Sequence, residues 1–292
     1  MLRRGSKGEE VKELQKFLGI PADGIFGPRT EKSVKEWQSK NGLVVDGIVG
    51  PSTRNRMGFI STDSNETVQK TKNGLVVHKH YLPPHEYFKG PTKKEYIFLH
   101  HTAGWNNPYN TINNWGRDNR GRIATEYVIG GQSIRGNDDK FDGEVVKAFP
   151  IGGYAWHLGG NGSHYMHTHS IGIEICNFGQ LTDGKTYVGT LADKSQIVKL
   201  KKPFRGFSEW HRYSDNQIES TRKLLLHLAD RDNIDIREGL PKLIKEVGVK
   251  AFDFNQDMYE GKIKGVISHT NTRRDKFDIF PQQEMLDMLT SL

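Results

Sequence analysis

Tyr96-Ile97-Phe98-Leu99-His100-His101-Thr102-Ala103-Gly104 is the stretch that decides how this chain folds. Its first four residues are apolar without alternation, so the run reads as a short strand buried on both faces, inside a sheet that is covered on each side. The strand delivers two histidines to its end and then small residues that break it. Successive strand side chains point to opposite faces, so His100 and His101 face different ways.

Working outward, similar segments surround this one. Asn73-Gly74 offers the positive φ of a tight turn before Leu75-Val76-Val77 and His78-Lys79-His80-Tyr81-Leu82, which fit a strand at the domain edge. Tyr127-Val128-Ile129 and Ile171-Gly172-Ile173-Glu174-Ile175 read as further buried strands. Helices are predicted near Thr111 to Trp115 and from Ser214 to Asp230, where Ile218, Leu224, Leu225 and Leu228 form an apolar stripe. Strands alternating with helices imply an α/β class, a mixed central sheet flanked by helices with polar strand ends gathered at one cleft. The Lys-rich segment from Asp183 to Phe207 reads as an insertion or lid.

The 292 residues, 35% hydrophobic and 26% charged, suit a small module plus a medium globular domain. Cys176 is the only cysteine, which excludes an intramolecular disulfide and a four-cysteine zinc site, so a metal would be held mainly by His and carboxylates. No run of about 18 apolar residues occurs, and the basic N-terminus has no apolar stretch behind it. The chain therefore reads as made in the cytosol without a classical export signal and without stable membrane insertion. The balance of 42 Lys+Arg against 35 Asp+Glu gives +7, which favours polyanionic surroundings. Without a recognition motif of interleaved aromatics, a nucleic-acid partner is not expected. A monomer is the default.

The first sixty residues contain a repeat. Ala22-Asp23-Gly24-Ile25-Phe26-Gly27-Pro28-Arg29-Thr30 recurs 23 residues later as Val45-Asp46-Gly47-Ile48-Val49-Gly50-Pro51-Ser52-Thr53. Each copy sets an Asp-Gly turn and a Gly-Pro break before a helical start. Val11, Leu14 and Leu18 mark one amphipathic helix, Val34 and Trp37 a second, and a short third follows Pro51. This small three-helix arrangement, with Val-Lys-Glu-Leu-Gln at positions 11–15 and the Asp-Gly-Ile-Phe-Gly-Pro turn, resembles the peptidoglycan-binding domain fused to many wall hydrolases. The resulting division is a binding domain over residues 1–58, a polar linker over 59–66 and a second domain over 67–292.

The second domain resembles the zinc-dependent N-acetylmuramoyl-L-alanine amidases, which share their fold with the peptidoglycan recognition proteins. Four motifs carry the resemblance: Phe98 to Gly104, Ala155-Trp156-His157, Ser170-Ile171-Gly172-Ile173-Glu174, and Ser268-His269 followed by Arg274-Asp275-Lys276-Phe277-Asp278. It implies that His100, His269 and Asp278 bind Zn2+. Asp275 is a competing carboxylate, but Lys276-Phe277-Asp278 reproduces the family's Lys-x-Asp ending. Three such ligands with one position left for water are what a catalytic zinc requires.

The resemblance also implies Glu174 as base and Lys276 as the charge that meets the oxyanion. Trp156 and His157 are candidates for substrate contact, and Arg273 and Arg274 for stem-peptide carboxylates, whose geometry guanidinium forks match. Glu126 stands where relatives commonly carry His or Asn, which leaves open the detail of the cleft near the metal, or a local compensation, but not the ligand set. The implied reaction is hydrolysis of the amide between N-acetylmuramic acid and L-alanine in peptidoglycan, in an enzyme of the phage endolysin kind. The alternative is a recognition protein on the same fold that binds peptidoglycan without cutting it.

Overall fold

The computed structural model describes residues 2–50, 53, 57, 68–90, 93–160 and 162–292. It divides into two compact units, Met1–Glu66 and Thr67–Leu292. The predicted linker lies outside the described residues, as does most of the helix expected after Pro51, of which Thr53 and Met57 are described as helical.

In the first unit, helix α1 (Glu9–Phe17) and helix α2 (Pro28–Lys40) pack Val11, Leu14 and Val34 against Leu2, Phe26, Val49 and Met57. Pro28 opens α2 at the position where a missing N–H costs nothing. The repeat is reproduced atom by atom. The Gln15 amide donates to Asp23 Oδ1 at 2.7 Å, Ile25 O at 3.0 Å and Thr30 Oγ1 at 3.0 Å, and accepts from Gly24 N at 2.8 Å. The Gln38 amide makes the matching set with Asp46, Ile48, Thr53 and Gly47 at 2.8 to 3.1 Å. Gly24 and Gly47 sit at φ +74° and +72°, a conformation that favours glycine in both turns.

The second unit is built on a seven-stranded mixed sheet. In chain order its strands are β1 (Val68–Lys70), β2 (Val76–Lys79), β4 (Tyr96–His101), β5 (Tyr127–Ile129), β6 (Val145–Lys147), β8 (Ser170–Ile175) and β12 (Gly265–Ser268), in the spatial order β1-β2-β6-β5-β8-β4-β12, while β3 (Phe88–Lys89) and β7 (Gly153–Tyr154) form a separate antiparallel pair. Strands β5, β8, β4 and β12 run parallel, while β5 pairs antiparallel with β6 and β1 with β2. The strand expected at the edge, β2, lies one place in, because the short β1 pairs outside it.

All six residues of β4 are buried. One face of the sheet presents Ile97, Leu99, Ile171 and Ile173 to helices α5 (Asp215–Asp232), α6 (Leu240–Val247) and α9 (Gln283–Thr290). Leu224, Leu225 and Leu228 of α5 are fully buried there, each worth roughly 1.5–3 kcal/mol of transfer free energy. Helix α5 starts at a capping box between Ser214 and Gln217. The opposite face packs on α3 (Pro108–Trp115), α4 (His164–His169) and α7 (Gln256–Tyr259) through Ile112, Met166 and Met258.

The Asp183 to Phe207 segment is not a free lid. It joins β9 (Gln180–Leu181) to β10 (Ile197–Phe204) and β11 (Phe207–His211), a three-stranded antiparallel sheet. Trp210 anchors it by stacking on Phe280 at 4.6 Å between ring centroids.

Candidate metal centre and its cleft

Parallel β4, β8 and β12 end side by side, and ligands of open α/β sheets collect at such carboxyl ends. Register does the first part of the assembly: His100 pairs with Glu174, and Leu99 pairs with Ser268, which immediately precedes His269. His269 opens a short helix, α8 (His269–Thr272), held by a capping box between Ser268 and Asn271. Asp278 returns to the same point because its backbone carbonyl accepts from Thr270 N at 3.0 Å and from the buried Ser268 hydroxyl at 3.2 Å.

Three donor atoms converge as a result. His100 Nδ1 lies 3.1 Å from His269 Nδ1 and 3.3 Å from Asp278 Oδ2, and His269 Nδ1 lies 2.9 Å from that same oxygen. All three residues are buried. Two ring nitrogens and a carboxylate oxygen at such distances repel as bare lone pairs and need a proton or a metal cation among them. Four donors set tetrahedrally about zinc at about 2.0–2.1 Å stand about 3.3 Å apart, so this donor set fits zinc in both spacing and chemistry. Asp275, the competing carboxylate, is exposed and paired instead with Arg273, at 2.6 and 3.0 Å.

Burial, together with the neighbouring His269, pulls the His100 imidazole down to about 4, so it is neutral and its lone pair is free. Burial alone would raise the Asp278 carboxyl, but the adjacent imidazoles hold it well below the usual carboxylate range. Glu174 moves the other way. Burial raises its carboxyl well above the ordinary value, the Asp278 charge adds to the shift, and Lys276 opposes it.

A cleft of about 400 Å³ opens over the centre, lined by the three donor residues together with Glu174, Lys276, Trp156 and His157. It runs into a second hollow whose described lining includes Arg120, His164, His167, Arg273 and Lys276 and no carboxylate. Arg273 thus lines this second hollow. Arg274 does not: its guanidinium stacks on Phe254, 4.0 Å from the ring centroid, because it lies on the outer side of the turn. Trp156 forms part of the wall and packs edge-on against Phe88 and His167. His157 borders the cleft, but its ring nitrogens lie 3.0 Å from His100 Nε2 and 2.7 Å from Ser170 Oγ, so neither is free for substrate.

His101 turns to the far face of β4, where its Nδ1 meets the Tyr213 hydroxyl at 2.8 Å. Glu126 is compensated locally and does not line the cleft. Its carboxylate is buried and pairs with Lys147 at 3.3 Å and Arg231 at 3.2 Å, leaving Thr125 to line the cleft. Sequence reasoning missed Arg120, which comes from a loop with no motif of its own and is brought to the wall only by tertiary folding.

The chain matches the N-acetylmuramoyl-L-alanine amidase family over residues 90–276 and the peptidoglycan binding domain family over residues 7–57. No curated protein matches it. Among solved structures it is similar to PlyL at 17% identity, over 69% of this chain and 85% of that one, with a TM-score of 0.39. It is also similar to an AmpD derivative, at 15% identity over 72% of this chain and 92% of that one, with a TM-score of 0.39. A Burkholderia AP3 phage endolysin aligns at 34% identity over 22% of this chain and 26% of that one, with a TM-score of 0.19. With the family match covering well over half of its length, the chain belongs to the N-acetylmuramoyl-L-alanine amidases, and its reaction is hydrolysis of the amide between N-acetylmuramic acid and L-alanine in bacterial peptidoglycan.

Proposed function

We propose that His100, His269 and Asp278 hold a zinc ion, and that Glu174 and Lys276 carry the proton and charge traffic of the amide hydrolysis. The observation that supports this most strongly is the convergence of three buried donor atoms within 2.9 to 3.3 Å, one register step from Glu174. Zinc, when held there, supplies Lewis acidity and brings the pKa of a water towards neutrality. Glu174 takes the proton of the attacking water and passes it to the departing amine, a role its raised affinity for protons suits. The Lys276 ammonium stabilises the carbonyl oxygen as it gains negative charge.

Substrate orientation follows from charge. Arg273, with Arg120, would draw the carboxylates of the stem peptide into the hollow that lacks acidic side chains, and Trp156 would pack against the substrate beside it. Arg274 has no part in this reading.

Residues 1–58 would hold the enzyme on the wall and residues 59–66 would tether them to the catalytic domain over 67–292. That pairing favours a lytic enzyme of the endolysin kind, working as a monomer at the cell wall. Among the described residues no helix is long and apolar enough to cross a membrane.

The test is digestion of purified peptidoglycan by zinc-loaded protein, chelated protein and Glu174→Ala, with mass spectrometry of the released fragments. Free stem peptides beginning with L-alanine are expected from the first alone, with Glu174→Ala slowed about 10²–10⁴-fold. Binding to the wall without any fragments would identify a recognition protein instead. Undiminished cleavage after chelation would refute the zinc assignment.

A further inference from the structure

We propose that His157, backed by Ser170, is a positioning residue that fixes the tautomer and ring orientation of His100 and so sets the metal affinity of the centre. The inference rests on the metal-centre reading above. His100 turns Nδ1 towards His269 and Asp278 and leaves Nε2 pointing away, 3.0 Å from His157 Nδ1, with the two rings nearly perpendicular at 85°. His157 Nε2 in turn lies 2.7 Å from Ser170 Oγ, and the Ser170 hydroxyl donates to the His167 carbonyl at 3.5 Å.

The metal-ligand role of His100 sets the proton order along this chain. For His100 Nδ1 to be a bare lone pair its Nε2 carries the hydrogen and donates to His157 Nδ1, so His157 Nε2–H donates to Ser170 Oγ. His157 Nδ1 is then bare and accepts from His100 Nε2–H. His100 Nδ1 is left as a lone pair aimed at His269 and Asp278, which is the state a metal ligand requires.

The surroundings hold the His157 ring in place. Its backbone N–H donates to His167 Nδ1 at 3.3 Å, and Phe98 meets the ring edge-on at 5.6 Å between centroids. Gly172 leaves the necessary room: a Cβ there would stand 3.2 Å from His157 Nδ1 and 2.7 Å from the Thr125 side chain. His269 has no such support, since among the described residues its Nε2 is buried without a partner. The centre therefore depends on His157 for whatever outer restraint its imidazoles receive.

The test measures zinc affinity by competition with a chromophoric chelator, and the visible spectrum of the cobalt-loaded protein, for wild type, His157→Leu, His157→Asn and Ser170→Ala. His157→Leu is expected to weaken zinc binding about 10–100-fold, as loss of such outer partners does elsewhere. Ser170→Ala is expected to shift it in the same direction by less, and to alter the cobalt spectrum. His157→Asn, whose Oδ1 replaces the accepting Nδ1, is expected to recover most of the loss. Wild-type zinc affinity in His157→Leu with a raised KM would make His157 a substrate contact and overturn the proposal. Should His157→Leu fail to fold, Ser170→Ala and 15N spectra of the metal-free wild type decide, and a His157 ring protonated at Nδ1 would overturn it. None of these readouts needs hydrolysis, so a protein that bound zinc as expected but cut nothing would sink the amidase mechanism and leave this inference standing.

Discussion

Replacing Glu126 by Gln separates the support of this fold from its chemistry. The Glu126 carboxylate is 2% exposed and neutralises Lys147, 3% exposed, at 3.3 Å, as well as Arg231 at 3.2 Å. Removing one partner of a buried ion pair costs about 3–5 kcal/mol, because the other charge stays buried without compensation. Arg231 retains Asp232 at 2.7 Å and the Tyr127 hydroxyl at 2.8 Å, so the stranded charge is chiefly that of Lys147 and the cost falls near the lower end, about 3 kcal/mol. For a domain of this size about 1 kcal/mol moves Tm by about 2–4 °C, so a drop of about 6–12 °C is expected. Burial already lowers the Lys147 pKa, so the loss should shrink at alkaline pH, where the amine sheds its proton. The assay pairs calorimetric melting of the full chain with kcat/KM on peptidoglycan well below Tm. An unchanged kcat/KM is expected, since Glu126 does not line the cleft. Melting like wild type, or a tenfold fall in kcat/KM at unchanged Tm, would refute the reasoning.

Two further outcomes follow from buried polar groups. Gln38→Ala strips three acceptors and the Gly47 N–H of their partner in a site 1% exposed, and should cost the N-terminal unit about 2–3 kcal/mol in urea unfolding while leaving hydrolysis of small soluble muropeptides unchanged. His211 is pushed by burial from 6.5 to about 3, so its folded pKa lies below the unfolded one. The stability it supports is then complete above pH 6.5 and lost as pH falls towards 3. At about pH 5 the loss is roughly 2 kcal/mol, and His211→Asn, which can still accept from Phe178 N, should remove that much of the pH dependence of urea stability between pH 7.5 and 5. An unchanged pH dependence in the variant would show that burial does not lower the His211 pKa in the fold.

Much of this protein was legible before any coordinates. The apolar run of β4 announced a strand covered on both faces, because a strand with one wet side would alternate. The 23-residue repeat announced two like turns, because only Asp-Gly followed by Gly-Pro meets that backbone need twice. The motif order picked out His100, His269, Asp278, Glu174 and Lys276 as one group, and their gathering at one cleft follows from parallel strands that end together.

The tertiary structure decided what depends on direction and on neighbours distant in sequence. That Asp278 and not Asp275 stands with the two histidines follows from the Ser268 and Thr270 bonds to its carbonyl, which turn the chain back on itself. Arg273 and Arg274 are adjacent in sequence, yet one lines the hollow beside the cleft and the other stacks on Phe254, since a turn splays consecutive side chains apart. Glu126 left the cleft for Lys147 and Arg231, and His157 gave both nitrogens to His100 and Ser170, because a buried polar group goes to whatever partner the fold brings within reach. Residue types and spacing determine which groups gather at the strand ends; packing determines which atom of each group faces its neighbours, the cleft or the core.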